Sequence, residues 1–338
     1  MLKKSGSDVR CVTLPAGTFY NGDCISGAAR YTPDSSVDLI ITDPPYGING
    51  DTLHKHYNRN EKFVVDGYVE IPEEEYGNFS LLWIREAERI LKPGGSIYII
   101  SGYTNLYHIL AALKMTSLTE VNHIVWKYSF GVFTRRKFVS SHYHILFYEK
   151  PGGTRTFNLE SRFGLDEKNG DGSSLNNIDR EDVWLINREY KPGVVKNKNE
   201  LPLELLLKLI QYSSNEGDLV CDLFLGGFST AIAAIGLNRR ATGFEISPAM
   251  FDTRIREIEG MEPGSLTSLL RKPAIQPRKN QKKAWTDDDI RYLVREFKKR
   301  RVSGETNKEI IAALGDALGR GRWAIIKALK KSANNGEQ

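Results

Sequence analysis

Leu39-Ile40-Ile41-Thr42-Asp43-Pro44-Pro45-Tyr46-Gly47 decides the reading of this chain. The apolar run Val37 to Ile41 has the length of a buried strand, and it ends at an acid followed by two prolines. Consecutive prolines fix two φ angles and remove two N–H donors. The loop is therefore stiff and presents carbonyls rather than amides. Ligands of open α/β sheets bind beyond the carboxyl ends of strands, which is where Asp43 falls. A stiff acceptor loop suits a substrate with N–H groups to give, such as an amino group on an aromatic ring. The lone pair of such a nitrogen is delocalised into the ring, so it is a poor nucleophile. The Asp43 carboxylate and the Pro44 carbonyl can hold its two hydrogens and aim the lone pair at an electrophile, which is positioning plus electrostatics. Tyr46 offers a ring on which a planar base can stack, worth about 1–3 kcal/mol. The same letters fit a Pro-Pro turn with a buried Tyr and an N-capping Asp. The Leu/Ile run before them favours the first reading.

A second strand end follows at Leu219-Val220-Cys221-Asp222-Leu223-Phe224-Leu225-Gly226-Gly227-Phe228-Ser229-Thr230. A glycine turn between a strand and a helix lets a ligand approach the backbone closely, with the helix N-terminus nearby. The next strand ends at Gly243-Phe244-Glu245, about 20 residues on, the spacing at which an acid meets ribose hydroxyls. No Gly-Lys-Ser/Thr follows, so this is not a P-loop, and it is not a GxGxxG fingerprint for NAD.

Around these ends, short apolar runs alternate with helical patterns. Glu73 to Leu91 has helical periodicity and stops at Lys92-Pro93-Gly94-Gly95, read as a terminator and turn. Ser96–Ser101, Val121–Trp126, His144–Tyr148 and Ala241–Glu245 read as strands. Tyr103–Met115, Pro202–Ser213, Ser229–Leu237 and Pro248–Ile258 read as helices. This alternation predicts an α/β fold on an open sheet of parallel strands. Residues 151–200 break the rhythm and are rich in Gly, Asn, Asp and Ser; so long an irregular segment is usually functional or disordered.

Residues 261–284, with three prolines and a basic cluster, read as a linker. Residues 285–331 then read as a small basic helical module, opened by Thr286 as N-cap with acids in its first turn. Its start, Trp285-Thr286-Asp287-Asp288-Asp289, and its end, Arg320 to Lys331, resemble a Myb/SANT-like DNA-binding module; a plain helical hairpin fits the same pattern. From Arg271 onward there are 18 Lys+Arg against 8 Asp+Glu, in a chain whose net charge is +5. A basic appendage on a mildly acidic body suggests a polyanion partner, although a solvated Lys-rich tail has the same composition.

The three cysteines, Cys11, Cys24 and Cys221, lie far apart without CxxC spacing. That argues against a disulfide framework or a zinc site, so no metal is expected, and it fits a reducing cytoplasm. The apolar runs are too short to span a membrane. No Pro-Cys dipeptide occurs, so the nucleophile of a C5-cytosine enzyme is missing.

Together, Asp43-Pro44-Pro45-Tyr46 and the Asp222 to Thr230 loop resemble the amino-methyltransferases of bacterial and phage DNA, in the permuted order called the β class. The resemblance covers residues 18 to 260. Asn21-Gly22-Asp23-Cys24 resembles the family's lead-in, Leu91-Lys92-Pro93-Gly94-Gly95 its ILKPGG, and Asp182-Val183-Trp184 its DVW. The resemblance implies a Rossmann-like methyltransferase sheet with helices on both faces over residues 1–260, with 151–200 as the target-recognition segment. It implies S-adenosyl-L-methionine held by Asp23, Cys24, Asp222, Phe224, Gly226, Gly227, Ser229, Thr230 and Glu245. It implies a base flipped out of double-stranded DNA onto Asp43, Pro44, Pro45 and Tyr46, with direct methyl transfer; flipping costs about a few kcal/mol.

An Asp at the head of that motif leans toward adenine N6, and N4-cytosine methylation is the alternative. Methylation of an RNA or protein amine, and a non-catalytic DNA-binding protein on the same fold, are more distant readings. A bacterial, archaeal or phage origin, a cognate restriction endonuclease and a homodimer belong to the same expectation. Arg135, Arg136 and Lys137 are candidate phosphate contacts, and His54 and His56 read as surface loop residues. The sequence departs from the family in three places. Leu201 stands at the family's Lys, Asn197-Lys198-Asn199-Glu200 replaces its HPTQ, and Phe228 occupies a late glycine position.

Overall fold

The computed structural model describes residues 9–47, 71–129, 135–188, 200–271, 280 and 283–334. His54 and His56 lie outside them. Contacts divide the chain into two units, one of residues 1–163 with 168–272, the other of residues 273–338 with 164–167.

The first unit is built on strands β1 (Arg10–Leu14), β2 (Gly17–Asn21), β3 (Val37–Thr42), β4 (Leu91–Ser101), β5 (Thr119–Lys127), β6 (His142–Glu149), β7 (Val183–Leu185), β8 (Leu219–Asp222) and β9 (Arg240–Glu245). They form one sheet in the order β1-β2-β9-β8-β3-β4-β6-β5-β7. The helices are α1 (Cys24–Tyr31), α2 (Glu73–Ile90), α3 (Leu106–Leu113), α4 (Leu175–Asp179), α5 (Leu203–Ser213), α6 (Ser229–Gly236) and α7 (Pro248–Glu259).

Alternation along β3 explains why helices cover both faces. Successive side chains of a strand point to opposite faces, and here both faces are apolar. Leu39 and Ile41 join a core with Leu205, Leu209, Ala233 and Phe251 from α5, α6 and α7. Ile40 joins the opposite core with Ala28, Trp83, Ile84 and Ile109 from α1, α2 and α3. An unbroken Val/Leu/Ile run is the signature of a parallel strand buried on both sides.

The expectation of parallel strands throughout needs correction. β2, β9, β8, β3 and β4 run parallel, but β1 pairs antiparallel with β2, and β6 pairs antiparallel with both β4 and β5. β1 and β2 are joined by a two-residue turn, too short for the crossover that a parallel pair needs. The Lys92-Pro93-Gly94-Gly95 turn is also absorbed into β4. The segment that follows β6 explains this: the Gly94 amide donates to the Lys150 carbonyl at 2.8 Å and the Lys150 amide to the Gly95 carbonyl at 3.0 Å. The left-handed φ of +80° at Gly94 takes up the resulting register jump against β3. Lys150 Nζ meanwhile donates to the Glu88 and Leu91 carbonyls, satisfying acceptors that the end of α2 leaves open.

Past α7, Met261, Leu266 and Leu270 pack on the core formed with α5 to α7, and Thr267–Leu269 forms a short 3-10 turn. The second unit holds helices α8 (Asp287–Val302), α9 (Asn307–Ala317) and α10 (Arg322–Asn334) around its own core of Leu293, Ile310, Leu314, Leu318, Ile325 and Ala328. Thr306 and Glu309 close a reciprocal capping box at the start of α9, and Thr286 caps α8 as its sequence predicts.

Candidate active site

Four neighbouring parallel strands each deliver a carboxylate to the same edge of the sheet. β2 leads to Asp23, β9 ends at Glu245, β8 ends at Asp222, and β3 leads to Asp43. The four acids line one cavity of about 220 Å³, together with Cys24, Pro44, Pro45, Tyr46, Phe224, Gly226, Gly227 and Ser229. Thr230 lies one residue behind the lining, buried beside Asp222. Glu200, Leu201, Ile246, Ser247 and Met250 complete much of the wall. Ser247 and Pro248 form an N-cap and N1 pair, a signal present in the sequence. Glu200 carried no motif at all.

Among the described residues, no Lys, Arg or His lines this cavity. Each acid is held differently. Asp23 caps α1, accepting from the Ser26 amide at 2.8 Å. Asp222 accepts from the Thr42 hydroxyl at 2.9 Å and the Phe224 amide at 3.0 Å, which ties β8 to β3. Glu245 accepts from the Ser247 amide at 2.7 Å. Glu200 is paired with Arg254 at 2.6 Å. Burial pushes the carboxyls up: Glu245 and Asp43 to about 7 and Asp222 to about 6. Buried acids without a cation are costly in their charged form, so the site is built to receive positive charge and hydrogen-bond donors.

The catalytic loop is braced from below. The Tyr76 hydroxyl donates to the Pro45 carbonyl at 2.8 Å, and the Asn105 amide donates to the Tyr46 and Gly47 carbonyls at 2.6 and 3.2 Å. Among the described residues, nothing donates to the Pro44 carbonyl. The Tyr46 hydroxyl donates to Asp43 Oδ1, and the Tyr46 ring stacks on Tyr143 with centroids 5.7 Å apart. Tyr143 belongs to an aromatic group with Trp126 and Tyr128, capped by the Arg188 guanidinium 4.9 Å above Tyr143. Neither Tyr143 nor Arg188 is marked by a motif; only the fold brings them to Asp43.

Phe228 does not contact the cavity. It sits in the left-handed region at φ +59°, fully buried, with its ring 5.7 Å from Phe19 and 6.0 Å from Phe251. The backbone there takes the conformation that glycine usually supplies, and the side chain fills the core behind the loop. Gly227 is constrained by packing instead: a Cβ there would lie 2.4 Å from Glu200 Oε1. Arg135, Arg136 and Lys137 are exposed on the connection between β5 and β6. The register of β6 on β4 puts that connection at the same end of the sheet as Asp43.

The family described as DNA methylase matches residues 37–256, and this chain belongs to it, the N6/N4 DNA methyltransferases. Among its relatives is the type II methyltransferase M.HinfI of Haemophilus influenzae, 28% identical over 278 residues, covering 78% of this chain and 75% of that protein. M.HpaI of Haemophilus parainfluenzae is 31% identical over 65% of this chain and 67% of its own length. M.BamHI of Bacillus amyloliquefaciens is 31% identical over 68% of this chain, which spans 54% of that protein. Among solved structures, the DNA modification methylase TTHA0409 of Thermus thermophilus, complexed with S-adenosyl-L-methionine, superposes with a TM-score of 0.51. It is 26% identical, over 71% of this chain and 94% of that one. The cytosine-N4-specific PvuII DNA methyltransferase shares the fold at a TM-score of 0.56 and 14% identity, over 76% and 92% of the two chains. Among the described residues, no helix is long and apolar enough to cross a membrane.

Proposed function

We propose that this chain transfers a methyl group from S-adenosyl-L-methionine to N6 of an adenine flipped out of duplex DNA. The observation that carries this reading is the cation-free ring of Asp23, Asp222 and Glu245 opening onto Asp43 and the Pro44 carbonyl. The cofactor has what that cavity lacks: hydroxyls and amines to donate, and a positive sulfonium. Glu245 suits the ribose hydroxyls, Asp23 and Cys24 lie toward the adenine side, and Phe224, Leu201 and Met250 offer apolar wall. The methyl it supplies is carried on the sulfonium and is open to direct attack.

The chain's own residues then prepare the nucleophile. Asp43 accepts one N–H of the target amine and Pro44 the other, so the nitrogen lone pair leaves the ring plane. The new N–C bond forms as the S–C bond breaks, and the nitrogen sheds its extra proton toward Asp43 and solvent. Asn105 and Tyr76 keep the acceptors fixed, so little reorganisation remains for the reactive moment. Arg135, Arg136 and Lys137 are read as phosphate contacts flanking the flipped base.

N4-cytosine methylation is the second reading, because a cytosine-N4 enzyme shares this fold and its amine has the same two hydrogens. Incubation with labelled S-adenosyl-L-methionine and DNA, followed by nucleoside analysis, tests the choice. Label in N6-methyladenine is expected; label confined to N4-methylcytosine overturns the adenine assignment. A cognate endonuclease belongs to this proposal because the relatives are type II methyltransferases. It is tested by whether DNA modified in vivo resists cleavage at the mapped sites.

A further inference from the structure

We propose that the C-terminal unit is a second DNA-binding site, with α10 as a helix that enters the major groove. The proposal rests on a geometry separate from the methyl-transfer site. Helix α9 (Asn307–Ala317) is joined to α10 (Arg322–Asn334) by Leu318-Gly319-Arg320-Gly321. Two helices joined by a three- or four-residue turn containing glycine make a helix-turn-helix, whose second helix reads the groove.

The turn is a built feature. Gly319 has φ +60°. Arg320 is buried at 4% exposure, donates to the Lys283 and Ala284 carbonyls at 2.7 Å each, pairs with Asp289 at 3.2 Å and lies 4.2 Å over the Trp285 ring. These contacts bind the entry to α8 to the start of α10 and fix the angle at which α10 leaves the turn. Ile325 and Ala328 bury its inner face.

The outer face is of a different kind. Arg322, Trp323, Lys327, Lys330 and Lys331 are all exposed or half-exposed. Trp323, Lys327 and Lys330 follow the i, i+4, i+7 spacing that forms one stripe along a helix. No acid occurs in α10, whereas α8 carries Asp287, Asp288, Asp289 and Glu296 and α9 carries Glu309 and Asp316. A solvated surface helix normally mixes both signs. Trp323, 71% exposed in the first turn, also leaves a large apolar surface in water. A bare cationic stripe headed by an exposed indole is complementary to a polyanion that also offers apolar contact. Duplex DNA, the polymer on which this family acts, supplies phosphates at the groove edges and thymine methyls on its floor. A helix about 10–12 Å wide with its side chains fits a groove about 12 Å wide. The N-terminal residues of such a helix meet the base edges. Arg322 and Trp323 therefore face bases, while Lys327, Lys330 and Lys331 follow phosphate.

The test uses the full chain and a fluorescent duplex of about 30 base pairs lacking the methylation site, with affinity measured across a salt series. Replacing Lys327, Lys330 and Lys331 together by Ala should weaken binding at least about tenfold. It should also flatten the log–log salt slope by about 0.9 per lost phosphate contact. Alanine is the best helix former, so α10 survives this change, which circular dichroism checks. The matching triple Arg variant should keep both affinity and slope. Trp323→Ala should weaken binding while leaving the slope unchanged. An unaltered affinity and slope in the triple Ala variant overturns the proposal. So does a triple Ala variant that binds DNA normally but changes the sedimentation mass of the DNA-free protein, which would make the stripe a protein contact. Cofactor affinity should be unchanged in every variant, since these side chains lie outside the cavity.

Discussion

The Tyr46 hydroxyl donates to Oδ1 of Asp43 at 2.6 Å. This bond helps keep Asp43 ionised in a place where burial opposes its charge. Burial raises the Asp43 carboxyl to about 7, Asp222 adds to that rise, and Tyr46 and Arg188 oppose it. Ionised Asp43 is the form that accepts an amine hydrogen, so turnover should rise with pH through an acid limb near 7. Tyr46→Phe keeps the ring but loses the donor. The limb should move to higher pH, with roughly tenfold less activity at pH 7 and a smaller loss at pH 9. A limb that stays in place would show that the hydroxyl does not govern Asp43.

Stability of the ligand-free protein should run the other way. Asp43, Asp222 and Glu245 all have folded pKa values above their ordinary ones. Below about pH 4 these groups are protonated in both the folded and unfolded states. As pH rises toward 7 the unfolded chain ionises first, and the fold loses stability by linkage. At about 1.4 kcal/mol per pKa unit, the loss is roughly a few kcal/mol. Asp43→Asn removes one such group. It should raise the melting temperature at pH 8 by several degrees, flatten its pH dependence, and abolish turnover while cofactor binding persists. Calorimetry at pH 5.5 and 8 checks the first claims and equilibrium dialysis the last.

Asn105 acts on the same loop through its backbone. Asn105→Ala removes both donors to the Tyr46 and Gly47 carbonyls. A buried acceptor left open costs about 1–3 kcal/mol, and the loop loses its fixed position. Activity should fall about 10- to 100-fold in kcat with little change in cofactor Kd. An unchanged kcat would mean that Tyr76 and the prolines hold the loop unaided.

Phe228 sets two effects against each other. Glycine in its place would relieve a left-handed φ that costs a bulky residue about 1–2 kcal/mol. It would also empty a fully buried site, and a Phe-to-Ala deletion alone costs about 3–5 kcal/mol. The cavity wins, so Phe228→Gly should lower the urea midpoint although it restores the glycine that the family carries. Cofactor affinity should change less than stability, because the ring lies away from the cavity.

How much of this was legible follows from where each signal resides. Leu39 to Ile41 and Leu219 to Asp222 announced themselves because a strand buried on both faces must be apolar throughout. The turns at Pro44-Pro45 and Gly226-Gly227 announced themselves through backbone constraint. β1, β2 and α1 gave weaker signals, because β1 lies at the sheet edge with its residues partly exposed. The direction of β6 was not written in its own residues, since it depends on how Lys150 meets Gly94 and Gly95. Asn105, Tyr143, Glu200 and Arg188 reach the site only through tertiary contact. Asn105 is an ordinary loop letter until Tyr46 is seen above it.

The Thr42 to Asp222 hydrogen bond has one more consequence. It spans strands β3 and β8, which neighbour each other although most of the unit's sequence separates them. The base-holding and cofactor-holding halves therefore meet along a ladder that does not depend on which half the ribosome makes first. A gene rearranged so that residues 200–260 preceded residues 18–150 would still encode the same seam, provided the new junction fell outside the strands.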